Sequence, residues 1–153
     1  MQTAKQFSVS LVNKPGRLAD LLAALHKGKV GLQALALMDS SERRTARFVP
    51  SDAGHTATIL DKINVAYDTT DVLVVEVASQ SGGFGKVCER LAKEHLSIDY
   101  AYCSFNGVHK AKGGCLAVVK VNDLAKAQRA LSESSTPRKR MPFRRPVATM
   151  MAD

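Results

Sequence analysis

Residues 7–37, FSVSLVNKPGRLADLLAALHKGKVGLQALAL, decide how this chain folds. Phe7, Val9 and Leu11 alternate with polar neighbours, the period-two pattern of a half-buried strand. Asn13-Lys14-Pro15-Gly16-Arg17 then reads as a turn, because Pro15 cannot extend a strand and Gly16 permits tight backbone. Leu18, Leu21, Leu22 and Leu25 stand at i, i+3, i+4 and i+7, one apolar stripe of a helix that begins at once. Gly28-Lys29-Val30-Gly31-Leu32 closes that helix and opens a second strand.

The same order recurs 66 residues later, in LVVEVASQSGGFGKVCERLAKEHLSIDYAYC, residues 73–103. Leu73, Val75 and Val77 repeat the strand, and Ser79-Gln80-Ser81-Gly82-Gly83 repeats the turn. Phe84, Val87, Cys88 and Leu91 repeat the stripe, and Glu94-His95-Leu96-Ser97-Ile98 opens the second strand. The later halves correspond at an offset of 71. Ser51-Asp52-Ala53 falls on Asn122-Asp123-Leu124, an apolar strand running into an Asp-containing helix cap in both copies. The five-residue difference lies in residues 106–114, a hairpin loop where insertions are cheap. Each copy thus reads strand–helix–strand–strand–helix with room for a final strand: residues 64–68 in the first, and residues 141–147, with Pro142 and Pro146, in the second. The expected fold is α+β: two ferredoxin-like βαββαβ repeats, antiparallel, with their helices on one face. The expected division is residues 1–69, residues 70–132 and a basic, Pro-containing flexible tail at 133–153.

At 153 residues the chain can bury roughly 70% of its unfolded surface, enough for a core without metal or disulfide. Tryptophan is absent and aromatics are 5%, so that core is aliphatic. No apolar run approaches the ~20 residues of a membrane span, and residues 1–6 are too polar for a signal peptide. Cys88, Cys103 and Cys115 are odd in number and unpaired in spacing, which suits thiols in a reducing cytoplasm. Of the formal charge of +8, residues 133–153 carry +3 and residues 1–132 carry +5. The tail reads mainly as a solvated, solubilising segment.

In Asn13-Lys14-Pro15-Gly16-Arg17-Leu18, with the leucine stripe and Gly28-Lys29-Val30-Gly31-Leu32 behind it, the chain resembles the ACT domain, a small-molecule regulatory module of amino-acid metabolism. The second copy keeps Gly82-Gly83-Phe84 and Leu96-Ser97-Ile98-Asp99-Tyr100-Ala101-Tyr102, with Ser81 in place of the proline. The resemblance covers about 130 residues as a tandem pair. It implies an amino acid or related carboxylate bound where the first turn of one unit meets the second strand of another. Transferred by position, Asn13, Gly16, Arg17 and Leu18 face the strand around Ile98, and Gly82, Gly83 and Phe84 face Leu32. Turn amides at the helix N-terminus would hold the carboxylate. The bland reading stands beside it: Asn13 caps its own turn, Arg17 is a solvated cation, and Leu18 and Phe84 are core. The resemblance further implies a homodimer and a regulated enzyme as partner; no cofactor or metal is expected.

Other chemistries fit poorly. Residues 82–86 look like a phosphate loop, yet Gln80 replaces its first glycine and Val87 its Ser or Thr; no Gly-x-Gly-x-x-Gly occurs. His26, His55, His95 and His109 lack ligand spacing, with His26 and His95 read as lying late in helices. No nucleophile has an evident base. Tyr100 and Tyr102 share a strand face, as base-stacking aromatics do in RNA-binding modules of this topology. The third-strand signature of those modules is missing, so edge or interface packing is expected. The sequence therefore points to a non-catalytic cytoplasmic sensor of a small amino acid. A nucleic-acid or ribosome-associated accessory protein, using the tail and the tyrosine strand, is the alternative.

Overall fold

The computed structural model describes residues 1–40, 43–78, 81–104 and 114–132. Its elements are β1 (Gln2–Val12), α1 (Arg17–Lys27), β2 (Leu32–Ser40), β3 (Arg43–Pro50), α2 (Ala53–Lys62), β4 (Tyr67–Val77), α3 (Gly83–Lys93), β5 (Ile98–Ser104), β6 (Cys115–Val121) and α4 (Leu124–Ser132). All strands join one antiparallel sheet in the order β2-β3-β1-β4-β6-β5. This is the ferredoxin-like βαββαβ arrangement occurring twice, as the repeat implies.

The repeat is visible atom by atom. Gly16 and Gly82 both cap their helices in the left-handed region, at φ 87° and 83°. Val30 and Leu96 each donate an amide to the carbonyl five residues back, Leu25 and Leu91, at 3.0 Å. That bond puts Lys29 and His95 at φ 58° and 56°, so His95 lies past the end of α3 rather than within it. Gly31 N–H donates to Ser51 Oγ at 3.0 Å, and Ser97 N–H to Asn122 Oδ1 at 3.1 Å. Asp52 and Asp123 accept the amides of His55 and Lys126, capping α2 and opening α4. An offset of 66 also sends Lys5 to Asp71, and these two are cross-strand partners joined at 2.7 Å. The pseudo-two-fold axis therefore passes between them.

The long central strands are shared between copies. Residues 67–74 of β4 pair with β1 and residues 73–77 pair with β6. The first copy's last strand starts at Tyr67, three residues later than expected, because Asn64 takes φ 54° in the helix-ending turn. It then runs without a break into the second copy's first strand, across positions 69 and 70. Beside β4, the place of a final strand in the second copy is taken by the start of β1, where Gln2 pairs with Val74 and Gln6 with Thr70. Residues 141–147, the sequence candidate for that strand, the loop insertion and the tail lie outside the described residues, apart from Gly114.

Both faces of the sheet are buried. On the helix side, Phe7, Val9, Ala46 and Phe48 meet Leu21, Leu25 and Leu60, and Leu73, Val75, Val77, Ala117 and Val119 meet Val87, Leu91 and Ala127. The opposite face is covered by the sheet itself. It rolls so that edge strands β2 and β5 lie against one another, enclosing Ala34, Val49, Val72, Val74, Leu116 and Val118. This explains why Val72-Leu73-Val74-Val75 and Leu116-Ala117-Val118-Val119 are unbroken apolar runs rather than alternations.

Candidate ligand site

The first turn forms an open hollow of about 200 Å³ at the end of β1. Its walls include Asn13, Lys14, Gly16, Arg17 and Leu18, with Leu37 from β2 and Arg44 from β3. Two sequence features make it. Gly16 supplies the left-handed cap, with open space around its Cα, so the backbone is approachable. No side chain caps α1, and the first-turn amides of Leu18 and Ala19 have no intrahelical carbonyl to donate to. Asn13, Gly16 and Arg17 are exposed, and Leu18 is half-buried against the first core cluster.

A second groove of about 520 Å³ shares Leu11, Val12 and Arg17 with the hollow. It runs between α1 and the connection of α2 to β4, past Asp20, Arg43, Ile63 and Val65. Val12 and Ile63 are 39% and 44% exposed, so apolar surface lies next to Arg17 and Asp20. Arg43 is held by Ser10, its Nε donating to the hydroxyl at 2.6 Å. Arg44 is paired with Asp39 across β2 and β3. The region thus combines exposed apolar carbon, several cations, one free-standing acid on a helix and a helix N-terminus. These are the complements of a zwitterion with an apolar or small side chain.

The second turn is built differently. Gly82 repeats the left-handed cap, but Gly83 stands where the first copy has Arg17. A Cβ on Gly83 would lie 2.4 Å from the Ala78 carbonyl oxygen, so the start of α3 sits close against the residue that follows β4. Phe84 fills the space beyond and packs on the second core cluster.

Leu18 and Leu32 share the first cluster, and Phe84 and Ile98 share the second, so each turn sits with the second strand of its own copy. The reason is the roll. It turns the strand faces inward and places each copy's helices and turn on its own outer side.

Tyr100 and Tyr102 were expected at an edge or interface, and they lie between the copies. Gln6, fully buried on β1, donates to the Tyr100 hydroxyl at 2.6 Å and accepts from that of Tyr102 at 2.8 Å. The Arg47 guanidinium lies 4.0 Å from the centre of the Tyr100 ring. Burial, with Tyr100 adding to it, holds the Tyr102 hydroxyl protonated well above the usual tyrosine range. Both rings are thus engaged inside the protein rather than offered as a stacking platform. Sequence reasoning did not find Gln6, whose place in an alternating strand looked merely polar; the repeat hides it too, since its counterpart is Val72. Among the described residues no group of three or more His, Cys, Asp or Glu could hold a metal ion, and no helix is long and apolar enough to cross a membrane.

A family model described as an ACT domain pair matches residues 2–133. The chain belongs to the ACT domain-pair family. Its fold is similar to a crystallised protein of Bacteroides thetaiotaomicron, with 27% identity, a TM-score of 0.78, and coverage of 87% of this chain and 89% of that one. The ACT pair also superposes on the ligand-free regulatory subunit of aspartate kinase from Thermus thermophilus, at 12% identity and TM-score 0.60, covering 87% and 93% of the two chains. The regulatory subunit of aspartate kinase from Thermus flavus gives 16% identity and TM-score 0.58, covering 89% and 94%. These last two likenesses are of fold. No curated protein matches the chain.

Proposed function

We propose that this ACT domain pair is a non-catalytic regulatory protein that binds a small amino acid, or a related carboxylate, at the first-copy turn. One observation carries the reading: the hollow at Asn13, Gly16, Arg17 and Leu18, with uncapped helix amides and an approachable glycine backbone, opens onto apolar surface beside Arg17 and Asp20. The amides and Arg17 take the carboxylate, Asn13 or Asp20 the ammonium, and Val12 and Leu37 the side chain. The second-copy site, where Gly83 lies close to Ala78 and Phe84 packs into the core, is the weaker of the two. Ile98 and Leu32 remain proposed contacts, supplied by a second chain.

The hollow is open on one side and exposed Leu37 stands at its rim, which supports a homodimer in which a partner's second strand forms the missing wall. Ligand that bridges two chains binds one arrangement of the dimer better than another, and a regulated enzyme reads the difference. The cytoplasm is the proposed compartment. Amide NMR titration with amino acids tests the location. Shifts centred on Gly16, Arg17 and Leu18 are expected, and shifts centred on residues 82–84 with the first turn silent would overturn it. Light scattering that reports a monomer at every concentration would remove the dimer.

A further inference from the structure

We propose that Cys103 and Cys115 form a reversible intramolecular disulfide, a modification site at the end of the β5–β6 ladder where residues 105–114 join the two strands. Cys103 pairs with Ala117, and cross-strand partners share a face. Cys115 lies two residues before Ala117 on β6, so the two cysteines are diagonal neighbours on the helix side of the sheet. Ser104 and Leu116 are the last pair of the ladder, and Cys115 is the first residue of β6. Burial, and then the neighbouring Cys115, push the Cys103 thiol above its usual range, which places the two side chains close together. Cys103 is exposed and Cys115 half-exposed, so an oxidant reaches the pair, while the third cysteine, Cys88, belongs to α3.

Diagonal neighbours hold their Cβ atoms farther apart than the ~3.8 Å a disulfide prefers, so closure draws the ladder end together. A bond under that strain is readily reduced, which suits a reversible modification rather than a structural staple. The co-reactant is a low-molecular-weight disulfide such as oxidised glutathione. One cysteine, deprotonated, attacks it; the glutathione S–S bond breaks, a mixed disulfide forms, and one glutathione leaves and takes up the proton. The other cysteine, deprotonated in turn, attacks the protein sulfur of the mixed disulfide and expels the second glutathione. Two protein thiols are oxidised to one disulfide, and one glutathione disulfide is reduced to two thiols. The bond fixes β5, the strand whose Tyr100 and Tyr102 hold Gln6 of the other copy.

The test is to equilibrate the full chain in oxidised and reduced glutathione, trap free thiols and map the peptides. A Cys103–Cys115 link that reduced glutathione reverses, with Cys88 still a thiol and the melting temperature raised by a few degrees, is the expected result. The Cys115→Ser variant should instead keep a glutathione adduct on Cys103 and show no rise. A wild-type protein that holds only glutathione adducts, links either cysteine to Cys88, or links chain to chain would overturn the proposal.

Discussion

Several single residues hold backbone that their side chains resist. His95 is exposed at φ 56° and ends α3 in a conformation that costs a non-glycine residue roughly 1–2 kcal/mol. His95→Gly relieves that cost and gives back some to unfolded-chain entropy, so a net gain of up to about 1 kcal/mol is expected in urea denaturation. Gly83 is the converse. Its added Cβ would press on the Ala78 carbonyl, and Gly83→Ala should cost ~1–3 kcal/mol, whereas Gly85→Ala, with open space on the same helix, should gain about 0.5–1 kcal/mol. Equal effects at the two glycines would contradict the close approach. Gly16 and Gly82 were legible as turn glycines because Pro15 and the two helical stripes fix where the backbone must turn. Gly83's tight contact was not, since it depends on how far α3 slides along β4.

Among the elements, β1 and β4 each serve two copies, and the sequence shows this only in part. The 66-residue offset and the paired caps were readable because each is local. A final strand drawn from the opposite end of the chain leaves no local mark. Residues 2–6 looked like a polar lead-in, yet they pair with β4 and bring Gln6 to the tyrosines. A fragment of residues 67–132 should therefore lack cooperative unfolding, and adding a peptide of residues 1–12 should restore it; a fragment that folds alone by circular dichroism would refute the shared strand. The Gln6–Tyr102 contact gives a second check. Tyr102 ionises at higher pH when folded than when unfolded, so its contribution is complete below the unfolded value near 10 and is lost as pH rises through and above it. Wild-type protein should lose stability above about pH 10 more steeply than Tyr102→Phe, by at most ~1.4 kcal/mol per pH unit. Parallel curves would mean the hydroxyl is not enclosed.

At the scale of the molecule, the rolled sheet consumes the surface that a lone ferredoxin-like unit leaves free. Strand faces close on each other, and the helices stand outside. The candidate site was half legible. The residues of the first turn were found from Pro15, Gly16 and the stripe, and they do line one hollow. What faces them across the copies was not legible, because the roll is set by which strand faces are apolar on both sides, a property of the assembled sheet. Arg17 in the first copy against Gly83 in the second makes the copies unequal, so one strong site per chain is expected. The measurement that bears most directly on this is a thermal-shift screen of the full chain against the twenty amino acids and a few 2-oxo acids. A ligand at about 100 times its dissociation constant should add ~2.7 kcal/mol, a shift of several degrees. The shift should vanish in Arg17→Ala and persist in Phe84→Ala. A folded protein that none of these compounds stabilises, or a shift indifferent to Arg17, would contradict the account.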